Sequence, residues 1–345
     1  MLVGLDTSAL CYGRWLRRGQ RSIDEGGSAL RYRAFGRTGW KVSEIGCGMW
    51  GMAAWSGSDD EQSIAALGEA IARGCNFFDT AWNYGKGHSE RLLGEARRRY
   101  PHAPMYLATK IPPKNFQYPA SADTALADAY PADHVREFTE KSLENLGVEA
   151  IDLQQLHVWT DEWAADESWQ RSVADLKEAG LIRAFGISVN RWQPANVLRA
   201  LQSGLVDSVQ VVYNVFDQSA EDELFPYCQE HGIAIIARVP FDEGGLTGTL
   251  TADSRWPESD WRNIYFTPER LAETLARVQR LEMLIPDGMD LPELALRFIL
   301  EHPAVSTTIP GMRTRAHVQR NVAASDGERL PYRLAEALKE HRWNR

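Results

Sequence analysis

From Leu30 onward the chain alternates between two hydrophobic rhythms. Short β-branched and apolar runs, too brief for helices, recur between longer segments whose apolar residues fall three and four positions apart. That alternation predicts a parallel sheet joined by crossover helices. The expected strands are 44–47, 76–79, 105–110, 150–157, 184–188, 208–212, 233–239 and 307–309, each followed by a segment able to form a helix. Segment 60–73 shows the helical grammar: Ile64, Leu67 and Ile71 share a face, Ser58 and Asp59 offer N-caps, and Gly74 stands just past the end. Segments 132–146 before Gly147 and 169–179 before Gly180 repeat it. Eight such units in one continuous stretch predict an α/β fold of the closed kind, a single-domain (β/α)8 TIM barrel preceded by a short N-terminal β-hairpin, with its working site at the carboxyl ends of the strands. Two long βα loops, 112–131 and 241–266, break the spacing; structureless stretches of this length are expected to act as lids or binding loops on that same face.

Composition narrows the possibilities further. The 345 residues, 44% hydrophobic and 25% charged, suffice for one large barrel without disulfide or metal staples. A net charge of −9 disfavours nucleic acid as a partner, and no apolar run reaches the roughly 20 residues of a membrane span. Cys11, Cys47, Cys75 and Cys228 are scattered, with no C-x-x-C pair, which suits a reducing cytoplasm. In residues 1–29 the apolar part precedes Arg14, Arg17, Arg18 and Arg21, the reverse of a signal peptide, and the stretch ends in the linker-like Glu25-Gly26-Gly27-Ser28. Residues 1–29 are therefore expected to be a loose extension, and 30–345 the barrel. No pattern specifies an oligomeric state.

Gly46-Cys47-Gly48-Met49-Trp50-Gly51 fits the dinucleotide fingerprint G-x-G-x-x-G, with Glu69 about twenty residues on. In that fingerprint the third glycine packs inside the opening helix. Here Trp50 and a polar loop through Ser56-Gly57-Ser58 intervene, so the segment reads instead as the end of strand one, where glycines admit a ligand beneath Trp50.

Four ionisable groups fall at three adjacent strand ends. Asp79 closes Phe77-Phe78-Asp79, Tyr84 follows in Trp82-Asn83-Tyr84-Gly85, Lys110 closes Ala108-Thr109-Lys110, and His157 closes Leu156-His157. Tyrosine is protonated at neutral pH and can donate a proton to a developing alkoxide, provided a nearby cation stabilises the phenolate. Lysine at a neighbouring strand end can supply that charge, and a carboxylate can fix the lysine. Taken singly, each group is more often a paired structural residue, and Asp79 and Lys110 would satisfy each other in either case.

The stretches Phe35-Gly36-Arg37-Thr38-Gly39, Val42-Ser43-Glu44-Ile45-Gly46, Phe78-Asp79-Thr80-Ala81 through Tyr84-Gly85 and Ser89-Glu90, Thr109-Lys110, and Asp152-Leu153 through Leu156-His157 resemble the aldo/keto reductase superfamily. So do Gly186-Ile187-Ser188, Gln210 with Tyr213-Asn214, Gly245-Leu246-Thr247-Gly248, and Ile309-Pro310-Gly311 through Asn321, all in the family's order. The resemblance implies an oxidoreductase that transfers a hydride between NADP(H), in preference to NAD(H), and a small-molecule carbonyl or alcohol. Asp79, Tyr84, Lys110 and His157 would form its catalytic tetrad, Tyr84 serving as general acid in reduction and general base in oxidation.

The same resemblance assigns cofactor contacts to Gly48, Met49, Trp50, Asp79, Ser188, Asn190, Gln210, Val239, Pro240, Phe241, Gly245, Leu246, Gly248, Ile309, Gly311, Arg313, His317 and Asn321. Ser188 and Gln210 would meet the nicotinamide carboxamide, although Ser188 also suits a helix N-cap before Trp192. Gly244 and Gly245 would present N–H groups to the pyrophosphate or serve simply as turn glycines, and Arg313 would face a 2′-phosphate or remain a surface charge. Trp50 and Trp159, with Tyr84 and His157, are candidate substrate contacts; packing is the competing role for the tryptophans, and Phe116 and Tyr118 add to the aromatic wall. Two rivals to the enzyme reading are an NADPH-binding regulatory or sensor protein with slow turnover, and a metal hydrolase. The latter would need clustered ligands at strand ends, where of 8 histidines only His157 is expected.

Overall fold

In the computed structural model, which describes residues 30–53, 58–258 and 260–343, a β-hairpin comes first: β1 (Tyr32–Ala34) pairs antiparallel with β2 (Lys41–Ser43). The expected extension 1–29, with Cys11, and the Ser56-Gly57 part of the polar loop lie outside the described residues. Strands β3 (Cys47–Gly48), β4 (Phe77–Asp79), β5 (Tyr106–Ile111), β6 (Ile151–Leu156), β7 (Ile182–Ser188), β8 (Ser208–Val212), β9 (Ala234–Arg238) and β10 (Val305–Thr308) pair in sequence order, all parallel. Parallel bridges from Ile45 to Thr308 and from Gly48 to Gly311 join the first strand to the last. The sheet thus closes into the expected (β/α)8 barrel, and the G-x-G-x-x-G segment runs from strand into the 3₁₀ turn Trp50–Met52 and not into a helix.

Strand residues alternate between two apolar layers, as the two-residue pleat requires. Phe77, Ala108, Leu153, Ala184 and Ile236 face inward and, with Phe35 and Val42 of the hairpin, fill the barrel's amino-terminal end. Phe78, Leu107, Phe185 and Ile235 face outward into the larger core beneath the helices. Gly36 has φ +51°, and a Cβ there would lie 2.5 Å from the Gly232 carbonyl oxygen, so only glycine lets the hairpin come this close to the chain entering β9.

Helices Asp60–Ala72 and Ala132–Leu146 end where the sequence places their stops, with Gly74 at φ +89° and Gly147 at φ +66°. Asp59 caps the first by accepting from the Gln62 N–H at 2.7 Å. The long loops are less structureless than expected: they contain the helical turns Leu126–Ala129, Asp242–Thr247 and Arg262–Tyr265, each too short to leave a periodic signal. After β7, helical structure begins only at Leu198, so Ser188 caps no helix near Trp192. Among the described residues no helix is long and apolar enough to cross a membrane.

Candidate active site

The carboxyl ends of the strands open into a cavity of about 760 Å³. Asp79, Tyr84 and His157 line it beside Trp50, Gln210 and Arg238; Ile309, Gly311, Arg313 and His317 line it beyond β10. At its inner end Lys110 is fully buried, its Nζ donating to Asp79 Oδ1 at 2.5 Å and to the Thr80 carbonyl at 2.7 Å. The other Asp79 oxygen accepts from Gln210 Nε2 at 2.8 Å and Gln155 Nε2 at 3.1 Å. A buried ion pair is costly unless its remaining donors and acceptors are satisfied, and these two amides satisfy this one. The ammonium lies 5.2 Å from the centroid of the Tyr84 ring.

Burial is the largest influence on Tyr84 and raises its pKa; Lys110 and Arg238 pull it back down, while Asp79 adds to the rise. The phenol is therefore an acid held protonated next to a cation. His157 stands edge-on between Tyr84 (centroids 5.7 Å apart) and Tyr118 (5.1 Å). Burial, then Lys110 and Arg238, push its pKa well below the usual histidine range, so its ring is neutral at physiological pH. Its Nδ1 is buried without a hydrogen-bond partner. A buried polar atom left unpaired beside a cavity is suited to a ligand.

The loops that follow β7 and β9 meet across the same cavity. Arg191 forms an ion pair with Glu243, and its guanidinium lies over the rings of Tyr265 and Trp261 at 4.7 and 5.2 Å. The β9 loop is sharply bent: Val239, Asp242 and Glu243 have φ values of 57°, 48° and 56°, and Gly244 reaches 109°. Asn214 Nδ2 steadies the bend by donating to the Val239 carbonyl at 3.0 Å. The side chain of Asn190 bonds both backbone groups of Ala120 at 3.0–3.1 Å, which ties the 112–131 loop to the β7 loop.

Of the residues proposed from sequence, Gly48, Met49, Trp50, Asp79, Tyr84, His157, Gln210, Val239, Pro240, Phe241, Ile309, Gly311, Arg313 and His317 line the cavity. Lys110 lies just behind it. Ser188, Asn190, Gly245, Leu246, Gly248 and Asn321 are not on the lining; Leu246 is fully buried, and Asn321 holds the Gly311 carbonyl at 3.3 Å. Trp159 belongs to the core, edge-on to Trp163 and Trp169, and offers no surface to a substrate. Sequence reasoning missed Gln155, Arg191, Arg238, Glu243, Trp261 and Arg262. Gln154-Gln155 was the readable signal, since two successive amides in a strand buried on both sides force one of them toward the barrel axis.

The cavity suits a nicotinamide dinucleotide on its own evidence. It combines amide and carboxylate partners at the inner end, unpaired buried nitrogens on His157 and Arg238, open space at Gly244 and Gly311, and the Arg313 guanidinium with the His317 ring at the outer end.

Comparison with known proteins agrees with this geometry. The Aldo/keto reductase family model matches residues 44–342. The chain is 31% identical to the aldo-keto reductase YhdN of Bacillus subtilis over 293 residues, which is 82% of this chain and 85% of that protein. It is 29% identical to the NADH-specific methylglyoxal reductase of Escherichia coli, over 88% of this chain and 98% of that one. Among solved structures, the glycerol dehydrogenase of Gluconobacter oxydans superposes with a TM-score of 0.73 at 26% identity, covering 92% of this chain and 95% of the other.

Proposed function

The chain belongs to the aldo/keto reductase family, and from that premise we propose that it reduces an aldehyde or ketone, or oxidises the corresponding alcohol, with Tyr84 exchanging the proton. Proteins of this family are oxidoreductases that use a nicotinamide cofactor, and when bound that cofactor supplies the hydride received by the carbonyl carbon. The observation that carries the role of Tyr84 is the buried Lys110–Asp79 pair with its ammonium 5.2 Å from the tyrosine ring. Tyr84 gives its proton to the oxygen as negative charge develops there, and the ammonium offsets the charge left on the phenolate. Asp79 and the Thr80 carbonyl hold the ammonium, and Gln155 and Gln210 hold Asp79. His157 is neutral, so it orients the carbonyl by hydrogen bonding without adding charge.

Gln210 is the lining amide suited to the carboxamide of the cofactor, and the bent loop at Val239, Pro240 and Phe241 with Gly244 is suited to its pyrophosphate. The reading of NADP(H) in preference to NAD(H) draws support from crowded charge: Arg313 is disfavoured as a cation by burial and by Arg262, and His317 by burial, Arg313 and Arg320. A 2′-phosphate would relieve that repulsion. Because one relative is named NADH-specific, the preference rests on these side chains, and titration with NADPH and with NADH measures it directly. Trp50, Tyr84 and His157 remain the proposed substrate contacts.

Tyr84→Phe tests the assignment. Reduction of an aromatic aldehyde is expected to fall by about 10²–10⁴-fold with NADPH affinity retained; an unchanged rate refutes it. Tight cofactor retention with a single slow turnover in the unaltered protein would favour a sensor instead.

A further inference from the structure

The cations around the cavity are not equivalent. Lys110 is paired with Asp79, Arg191 with Glu243 and Arg262 with Asp260. Arg238, the last residue of β9, differs from them. Its Nη2 donates to the Val189 carbonyl at 3.1 Å, its Nε is buried without an acceptor, and among the described residues it forms no ion pair. Burial and Arg191 push its pKa down to about 10, still high enough to keep it charged at neutral pH. That charge acts on the reacting centre, because Arg238 disfavours the protonated form of His157 and favours the phenolate of Tyr84. Arg238, Tyr84, His157 and Gln210 all line one cavity.

A carbonyl whose oxygen meets Tyr84 and His157 must have its carbon in contact with the hydride-bearing carbon of the cofactor ring. The ring therefore belongs at the inner end, within the field of Arg238. In reduction a C–H bond of the ring breaks, its electron pair and hydrogen form the new C–H bond of the alcohol, and the Tyr84 proton completes the hydroxyl. The ring thereby changes from neutral to cationic, while the rest of the dinucleotide is unaltered.

We propose that Arg238 discriminates between the two oxidation states of the cofactor, making the pocket hold the neutral reduced nicotinamide more tightly than the cationic oxidised one. The inference rests on the nicotinamide reading above and deepens it. At a separation of about 6 Å and an effective dielectric constant of about 20–40, repulsion between two unit charges corresponds to roughly 10- to 100-fold in a binding constant. Arg238 thus favours release of the spent cofactor after a carbonyl is reduced.

The test is the ratio of two dissociation constants, Kd for NADP⁺ over Kd for NADPH, measured by tryptophan fluorescence or calorimetry without substrate. In Arg238→Met and Arg238→Gln the ratio is expected to fall by about tenfold or more relative to the unaltered protein, and in Arg238→Lys to stay near the original. Two variants of different polarity guard against a local collapse, which would weaken both oxidation states and leave their ratio intact. If both forms bind and neither neutral variant changes the ratio, the discrimination is not electrostatic and the proposal falls. If the unaltered protein binds neither NADP(H) nor NAD(H), the nicotinamide reading falls with it; if it binds only NAD(H), the same ratio is measured with NAD⁺ and NADH.

Discussion

Tyr84 sits under opposing influences, and their order of size fixes how the reaction should depend on pH. Burial, the largest, lifts the phenol above its ordinary pKa of about 10, and Lys110 is the principal influence pulling it back. Reduction needs the protonated phenol, so its rate is expected to stay flat through neutral pH and to fall only above the ordinary tyrosine range. Oxidation needs the phenolate and should still be rising there. His157, neutral well below the usual histidine range, should contribute no acid limb near pH 6.5. In Lys110→Met the lowering influence is lost, so the alkaline limb should move further up and oxidation at pH 8 should slow. Steady-state pH–rate profiles in both directions check this; a limb near 6.5 that disappears in His157→Gln would contradict it. Asp79, Lys110 and His157 were legible because each is an ionisable side chain at or beside the end of an apolar strand, and Tyr84 because it follows Asp79 in a short turn with Gly85 behind it. Arg191 and Glu243 were not: their pairing spans 52 positions, and a charge in a loop is ordinarily solvated. Trp159 looked available because it follows His157, but the strand ends at Leu156 and beyond it alternation no longer decides which way a ring points.

Helix stops were the most readable boundaries, because Gly74 and Gly147 must adopt a left-handed backbone that other residues resist. The first barrel strand was less so, expected at 44–47 and found as Cys47–Gly48 with a bridge at Ile45, because its bounds are set by where it meets Phe78 and Asp79 of β4 on one side and isolated bridges to Thr308 and Gly311 on the other. Helix packing hides a further constraint. Gly94 lies inside the helix His88–Arg99, where a Cβ would stand 2.7 and 2.8 Å from the carbonyl oxygens of Asn145 and Leu146, at the end of the helix Ala132–Leu146. Helix propensity alone predicts that Gly94→Ala stabilises by up to about 1 kcal/mol. The contact is with backbone that cannot swing aside, and such overpacking costs about 1–3 kcal/mol, so the expected net effect is destabilising. Thermal unfolding decides the sign: a Tm lowered by a few degrees is expected, roughly 2–4 °C per kcal/mol. A raised Tm would mean the two helices separate freely.

At the scale of the whole molecule, the two ends of the barrel do different work, and the hairpin is what closes the end opposite the cavity. Arg33 of β1 pairs with buried Glu44 at 2.8 Å and donates to the carbonyls of Leu300, His302 and Val305, while Glu44 also accepts from Ser325 at 2.8 Å. One guanidinium thus pins the hairpin to both the first and the last barrel strands, and Phe35 and Val42 cover the inward layer of Phe77, Leu153 and Ile236. We assign residues 30–345 to this single unit, and the assignment separates two truncations. A chain starting at Leu30 keeps every one of these contacts and should match the full chain in Tm and in rate. A chain starting at Ile45 loses the plug and exposes the inward layer, where each large apolar side chain uncovered costs about 1.5–3 kcal/mol, and it should not fold stably. Arg33→Ala isolates the pin from the plug. Removing one partner of a buried ion pair costs about 3–5 kcal/mol, and because Arg33 is partly exposed the lower part of that range applies. Its Tm should fall while the rate per folded molecule stays unchanged, since Tyr84 and Lys110 lie at the opposite ends of the strands. An Arg33→Ala protein with an unaltered Tm would mean that Ser325 alone satisfies Glu44 and that the seam closes without the hairpin.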